Sequence, residues 1–106
     1  MISFRFNMNS SFNDYSTHPI TVPKGQVDYS LLKKEGLDGG DLTIVFPRGE
    51  RVRGHIYSGR AGYGPYYQIR TYTDQVIPPY LKDCDNLLVI LVKDGATKYA
   101  VLEFRS

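Results

Sequence analysis

The chain has few of the residues that build covalent cross-links or metal centres. Among its 106 residues are one cysteine, Cys84, and two histidines, His18 and His55. A single cysteine cannot form an internal disulfide and lacks the partners of a zinc site, so Cys84 is interpreted as a thiol without a structural role. No motif brings the two histidines together. The sequence therefore predicts no metal ion and no other cofactor.

Long hydrophobic runs are also missing. No apolar segment approaches the roughly 18 residues that a membrane-spanning helix requires. The N-terminus, MISFRFNMNSSF, alternates apolar and polar residues, whereas a secretory signal has a continuous apolar block behind a basic start. We therefore expect a cytoplasmic protein with no membrane partner. With 42% hydrophobic and 23% charged residues, the composition is typical of a globular chain, and residues 1–106 are predicted to form a single domain.

Short alternating segments separated by turn residues predict a mostly β protein. Residues 28–36 predict one or two helical turns that begin at Asp28 or Ser30 and end at Gly36. Residues 9–14 and the glycine-rich residues 59–64 are interpreted as loops. Strands are predicted at residues 2–8, 18–22, 42–46, 51–58, 65–73, 87–92 and 98–104. This pattern predicts a single-domain open barrel or pseudobarrel of about seven short strands with one or two short helices.

Positive charge is concentrated in the middle of the chain. The formal net charge is only +2, yet residues 46–72 contain five arginines and one glutamate, and the segments on either side are each slightly acidic. Residues 51–73, RVRGHIYSGRAGYGPYYQIRTYT, contain four arginines, one histidine, five tyrosines and no acidic residue. We call this segment the ribbon. If its two predicted strands pair, alternation can place the arginine and tyrosine side chains on one face, although a register slip of one residue would reverse the second strand.

The side chains of the ribbon are of the types that recognise nucleic acid. Arginine bonds phosphates and guanine edges with two hydrogen bonds, glutamine can read adenine, and tyrosine stacks on bases. A two-stranded β-ribbon also fits the major groove of DNA. The candidate residues in and beside the ribbon are Arg48, Arg51, Arg53, His55, Tyr57, Arg60, Tyr63, Tyr66, Gln68 and Arg70. The same pattern also fits a solvated sheet face or a surface for another anionic or aromatic ligand.

A family resemblance adds to this interpretation. In residues 20–46, ITVPKGQVDYSLLKKEGLDGGDLTIVF, a strand ending in Pro-Lys is followed by a small leucine-containing helix, a Gly-Asp turn and an apolar strand. The layout resembles AbrB-like swapped-hairpin regulators and, better for this length and all-β pattern, the DNA-binding pseudobarrel family. That family includes plant transcription factors and the recognition domains of restriction endonucleases.

The pseudobarrel resemblance implies two arms that grip the major groove of DNA. The ribbon would be one arm. The other would use the polar face of the first strand, with Arg5, Asn7 and Asn9. The chain has no room for a nuclease domain, so cleavage would need a separate domain or subunit, and the protein itself is not predicted to be an enzyme.

We therefore expect a sequence-specific double-stranded DNA-binding module, either the recognition domain of a restriction system or a transcriptional regulator. One alternative is a metal-independent ribonuclease or toxin that uses Glu50 and His55, although about 17 Å of strand would separate these residues. Another is a protein-interaction module of phage or toxin–antitoxin type, which would use the exposed tyrosines and PPYLKD, residues 78–83. An RNA partner in place of DNA is a further alternative.

Overall fold

Seven strands form one continuous sheet that curls into a nearly closed barrel in the computed structural model, which describes residues 1–105. The strands are β1 (Ile2–Asn7), β2 (Ile20–Thr21), β3 (Gly40–Val45), β4 (Arg51–Ala61), β5 (Gly64–Thr71), β6 (Asn86–Asp94) and β7 (Thr97–Phe104). The helical segments are α1 (Ser10–Asp14), α2 (Tyr29–Lys34) and a 3₁₀ turn at Pro79–Asp83. The predicted mostly-β fold class, an open barrel of about seven strands with two short helices, is confirmed.

The sheet has the order β1-β6-β7-β3-β4-β5-β2. Neighbouring strands are antiparallel except β3 and β7, which are parallel. Strand β3 lies in the middle of the sheet, in agreement with its apolar sequence. The ribbon forms the β4–β5 hairpin, and β2 adds a short final pairing on the far side of β5. The chain thus places the ribbon between the central strand and one edge of the sheet.

Alternating side chains build a single hydrophobic core inside the curled sheet. In β1 the residues Ile2, Phe4 and Phe6 are buried and those between them are exposed. Strand β6 contributes Leu87, Val89 and Leu91 in the same way. The opposite side chains of each strand point outward, as the period of two in a β-strand requires. The outer face of the ribbon is therefore determined by which of its residues fill the core.

Two segments that were interpreted as loops are more regular than predicted. The segment after β1 forms helix α1 because the side chain of Asn9 caps it, accepting a hydrogen bond from the N–H of Phe12 at 2.9 Å. The buried ring of Phe12 packs on Phe6. Strands β4 and β5 run through most of residues 59–64, so that Gly62 and Tyr63 alone form the turn of a tight hairpin. Residues 1–105 contain no helix long and apolar enough to cross a membrane.

Candidate nucleic-acid interface

The outer face of the ribbon gathers most of the predicted residues. Strand register places His55 opposite Arg70, Tyr57 opposite Gln68, and Gly59 opposite Tyr66. The alternate residues of both strands enter the core, among them Val52, Ile56, Tyr67 and Ile69. The polar sets of the two strands therefore share one outward face, which is the arrangement that alternation predicts for paired strands.

A chain of contacts across β4, β5 and β2 fixes the centre of this face. The guanidinium of Arg70 lies over the Tyr57 ring, 3.7 Å from its centroid. Its Nε and Nη2 both donate to Oε1 of Gln68, at 2.9 and 2.7 Å. The Gln68 amide nitrogen donates to Thr21 Oγ1 at 3.0 Å. Arg70 is thus held both by cation–π stacking and by hydrogen bonds.

Aromatic side chains continue the face toward the turn of the hairpin. The Tyr66 ring lies 5.9 Å from that of Tyr57 and 6.3 Å from that of Tyr63, which is 71% exposed. A Cβ at Gly59 would lie 2.5 Å from Tyr66 Cζ, so the missing side chain at Gly59 lets the Tyr66 ring cross to β4. The neighbouring Tyr57 hydroxyl raises the pKa of the Tyr66 phenol. The Tyr66 ring therefore covers Gly59.

A second cluster lies beside the first, where β3 joins β4. The Tyr72 hydroxyl donates a short hydrogen bond to Asp41, which raises the pKa of the Tyr72 phenol. The His55 ring packs on Tyr72 with a centroid separation of 5.0 Å, and its buried Nδ1 has no hydrogen-bond partner among residues 1–105. Arg53 stacks over Tyr72 and pairs with Asp74 at 3.2 Å. This cluster combines aromatic surface with both signs of charge.

The hairpin extends past the core at its far end. Ser58, Arg60 and Pro65 are all exposed. Residues on the same side of these strands but nearer the barrel, such as Ile56 and Tyr67, are buried in the core. Lys24, from the segment after β2, supports the turn. Its Nζ donates to the Tyr63 carbonyl at 3.3 Å and lies 5.4 Å from the centroid of the Tyr63 ring. The far end of the ribbon is thus a supported projection that carries Arg60 and Tyr63.

Four other predicted residues lie away from the outer face of the ribbon. Arg48 stacks on the Tyr80 ring, with its Cζ 4.3 Å from the centroid, at the end where β4 begins. Arg5 and Asn7 lie on β1, separated from β5 by β2 and by the gap in the barrel, and line a polar groove of about 340 Å³. The side chain of Asn9 is engaged in capping α1. The structure therefore gathers most of the predicted binding residues on the outer face of the ribbon and leaves these four apart from it.

The groups of the ribonuclease alternative do not come together. The Glu50 carboxylate accepts a hydrogen bond from the Tyr80 hydroxyl at 2.7 Å, beside Arg48, whereas the His55 ring packs on Tyr72. Within residues 1–105 no group of three or more histidine, cysteine or acidic side chains is placed to hold a metal ion.

Sequence reasoning missed the supporting residues Thr21, Lys24 and Asp41. They come from β2, from the segment after it and from β3, and contact the ribbon only because these elements pack beside it. No local pattern distinguishes a threonine in a short strand as the partner of a glutamine 47 residues later. These residues determine how the predicted side chains are held.

Comparison with known proteins does not assign the chain to a family. No protein-family model matches it, and no curated protein gives a significant match in sequence. Function is therefore inferred from the residues of the outer face and their arrangement.

Proposed function

We propose that this chain is a sequence-specific double-stranded DNA-binding module whose ribbon enters the major groove. The observation that carries the proposal is the shared outer face of β4 and β5, on which Arg70, Tyr57, Tyr66 and Arg53 lie together. Guanidinium groups match phosphates and guanine edges, and phenols stack or donate hydrogen bonds to phosphates. A two-stranded ribbon has the width that the major groove accepts.

The exposed arginines of the ribbon favour an anionic partner, although Asp41 and Asp74 lie beside Tyr72 and Arg53. Within residues 1–105, Arg53 is the one arginine that forms an ion pair with a carboxylate. Its partner is Asp74, and both side chains are largely exposed. Arg51 and Arg60 are exposed at the two ends of β4. Arginines that are not neutralised internally can displace condensed cations from DNA, which favours binding at low salt.

The biological role that fits is recognition within a restriction system or regulation of transcription, as in the DNA-binding pseudobarrel family that the sequence resembles. Support comes from the barrel-like sheet and from the β4–β5 hairpin, which carries Arg51, Arg53, Arg60 and Arg70. We propose that any DNA cleavage belongs to a separate domain or subunit. We propose that the protein acts in the cytoplasm.

The proposal can be tested by fluorescence anisotropy with a labelled 30-base-pair duplex of mixed sequence. If about three phosphates are neutralised, raising the salt concentration from 50 to 200 mM should weaken binding roughly 40-fold. The double variant Arg51→Ala, Arg60→Ala should bind more weakly and depend less on salt. An unlabelled single strand and an RNA duplex serve as competitors. Absence of binding at 50 mM salt with micromolar protein would contradict the proposal, as would stronger competition by RNA.

A further inference from the structure

Both ends of the Gln68 amide make hydrogen bonds within the protein. Its Oε1 accepts two hydrogen bonds from Arg70, and its Nε2 donates to Thr21. Reading adenine would require both ends of the amide, because adenine presents a donor and an acceptor in the major groove. The Gln68 amide nitrogen has a second hydrogen to donate, but its oxygen already accepts two hydrogen bonds, so Gln68 cannot make the paired contact to adenine without breaking its bonds to Arg70. Its geometry is that of a residue that positions Arg70.

Within residues 1–105, one edge of the Arg70 guanidinium has no hydrogen-bond partner. A guanidinium has five N–H donors in a rigid plane. Gln68 occupies the edge formed by Nε and Nη2. The adjacent edge, formed by Nη1 and the second hydrogen of Nη2, still offers two parallel donors. Because the Cζ of this group lies 3.7 Å from the centroid of the Tyr57 ring and Gln68 holds the other edge, we expect the two remaining donors to keep a fixed orientation on the outer face.

We infer that Arg70 reads guanine through this free edge, with Gln68, Tyr57 and Thr21 as positioning residues. The inference rests on the proposed DNA-binding function and names the base that the site takes. In the major groove, guanine presents two acceptors, O6 and N7, that match a pair of parallel arginine donors. A backbone phosphate offers two acceptors as well. The two sources differ in that a guanine contact depends on sequence and a phosphate contact does not.

The decisive experiment is selection from a duplex library with 12 randomised base pairs. The wild-type protein should enrich a motif that includes at least one required G·C pair. Arg70→Lys keeps the charge and loses the paired donors, so it should lose the preference at one G·C pair, on the order of tenfold, and keep the rest of the motif. Arg60→Ala is the matched control: it should weaken binding to all sequences alike and leave the motif unchanged.

The positioning role of Gln68 has its own test in the same selection. Gln68→Met removes the acceptor and should reduce the guanine preference at the position that depends on Arg70. Gln68→Glu restores an acceptor for Nε and Nη2, so it should recover the preference even though its negative charge weakens binding overall. A residue that merely stabilised the fold would not give this rescue. Thermal melting of each variant confirms that it is folded before selection.

Replacing the selected guanine by 7-deazaguanine separates base reading from phosphate contact. Loss of N7 should weaken wild-type binding by about tenfold and leave Arg70→Lys unaffected. If Arg70→Lys weakens all sequences equally, the contact is to phosphate and the inference is overturned while DNA binding stands. The inference is also overturned if the wild type enriches no motif or if Arg70→Lys keeps the full motif. If the wild type fails to bind any duplex, the proposed function itself fails.

Discussion

At Gly54 the backbones of β4 and β5 approach too closely for any side chain. A Cβ at this position would lie 2.4 Å from the carbonyl oxygen of Arg70 and 2.8 Å from Ile44 Cδ1. The first of these atoms belongs to the backbone and cannot rotate away. Gly54 therefore determines how closely the two strands of the ribbon pack, and with it the position of Arg70 on the opposite face.

Replacing Gly54 by alanine is expected to destabilise the protein by about 2–3 kcal/mol, because the strands must separate to admit the methyl group. Gly62→Ala in the turn of the same hairpin is the control: a Cβ there meets no atom within 4 Å, and the change should cost less than about 0.5 kcal/mol. Urea unfolding measures both. Equal midpoints for the two variants would show that the close approach does not constrain the fold.

The Glu50 carboxyl provides a prediction about pH. The hydrogen bond from the Tyr80 hydroxyl is the main cause that lowers the pKa of Glu50 below its ordinary value of 4.5. Because the pKa is lower in the folded state, the interaction stabilises the fold above pH 4.5, and this stabilisation is lost as the pH falls through the folded-state pKa. In an NMR titration of the side-chain carboxyls, Tyr80→Phe should move the pKa of Glu50 back toward its ordinary value.

The control for this titration is Asp28 in the same spectrum. Its pKa is lowered mainly by the backbone N–H of Ser30 at the start of α2 and should not change in Tyr80→Phe. An unchanged Glu50 pKa in the variant would contradict the assignment of the cause.

Among the elements, β1 depends on a side chain to complete its hydrogen bonding. It pairs with β6 on one side only, and its other edge faces the gap in the barrel. There the amide of Gln26 bonds both backbone groups of Arg5: Oε1 accepts from the N–H at 2.8 Å, and Nε2 donates to the carbonyl at 3.1 Å. Gln26 thus replaces a neighbouring strand at one position and protects an edge that would otherwise be unpaired.

Gln26→Met retains the length of the side chain without its amide. The Arg5 N–H should then exchange faster with solvent, and the free energy of unfolding should fall by about 1 kcal/mol. Gln75→Met is the reciprocal control, because Gln75 Oε1 accepts from the N–H of Arg53 at 2.9 Å. In that variant, exchange should increase at Arg53 and not at Arg5. Hydrogen exchange followed by NMR measures both, and unchanged protection of Arg5 in Gln26→Met would refute the bridging role.

Over the whole molecule, a small net charge conceals an uneven distribution. The net charge is +2, yet exposed arginines lie along the ribbon while α2 carries Lys33 and Lys34 outside it. Binding of a polyanion responds to the local concentration of charge at the contact surface more than to the total. For DNA binding, the position of a removed charge should therefore matter more than the total number of charges removed.

Arg60→Ala and Lys33→Ala each remove one positive charge. Comparing them separates the effect of local charge on the ribbon from the effect of total charge. For binding to the mixed-sequence duplex, Arg60→Ala should reduce the slope of log affinity against log salt by about one, whereas Lys33→Ala should leave it unchanged. Anisotropy titrations at four salt concentrations measure the slopes. Equal reductions in the two variants would indicate that only the total charge matters and would remove the ribbon as the contact surface.

Local sequence was sufficient to predict the strands, helix α2 and the residues on the outward face of the ribbon. Alternation along residues 51–57 and 66–72 assigns each side chain to one side of its strand, because the period of two is a property of the extended backbone itself. Asp28 and Gly36 likewise mark the ends of α2 through hydrogen bonding and a positive φ of 70° at the glycine.

Contacts between segments that are far apart in the sequence determine which of these side chains meet. Gln68 contacts Thr21 because β2 lies beside β5, and Gln26 reaches Arg5 because the barrel nearly closes. Arg48 lies in the turn before β4, and its guanidinium stacks on the ring of Tyr80, which the fold brings there from 32 residues away. The sequence specifies the side of a strand that each residue occupies, since that depends on its neighbours in the chain. It does not specify the neighbour across the sheet, since that depends on how the whole chain buries its core.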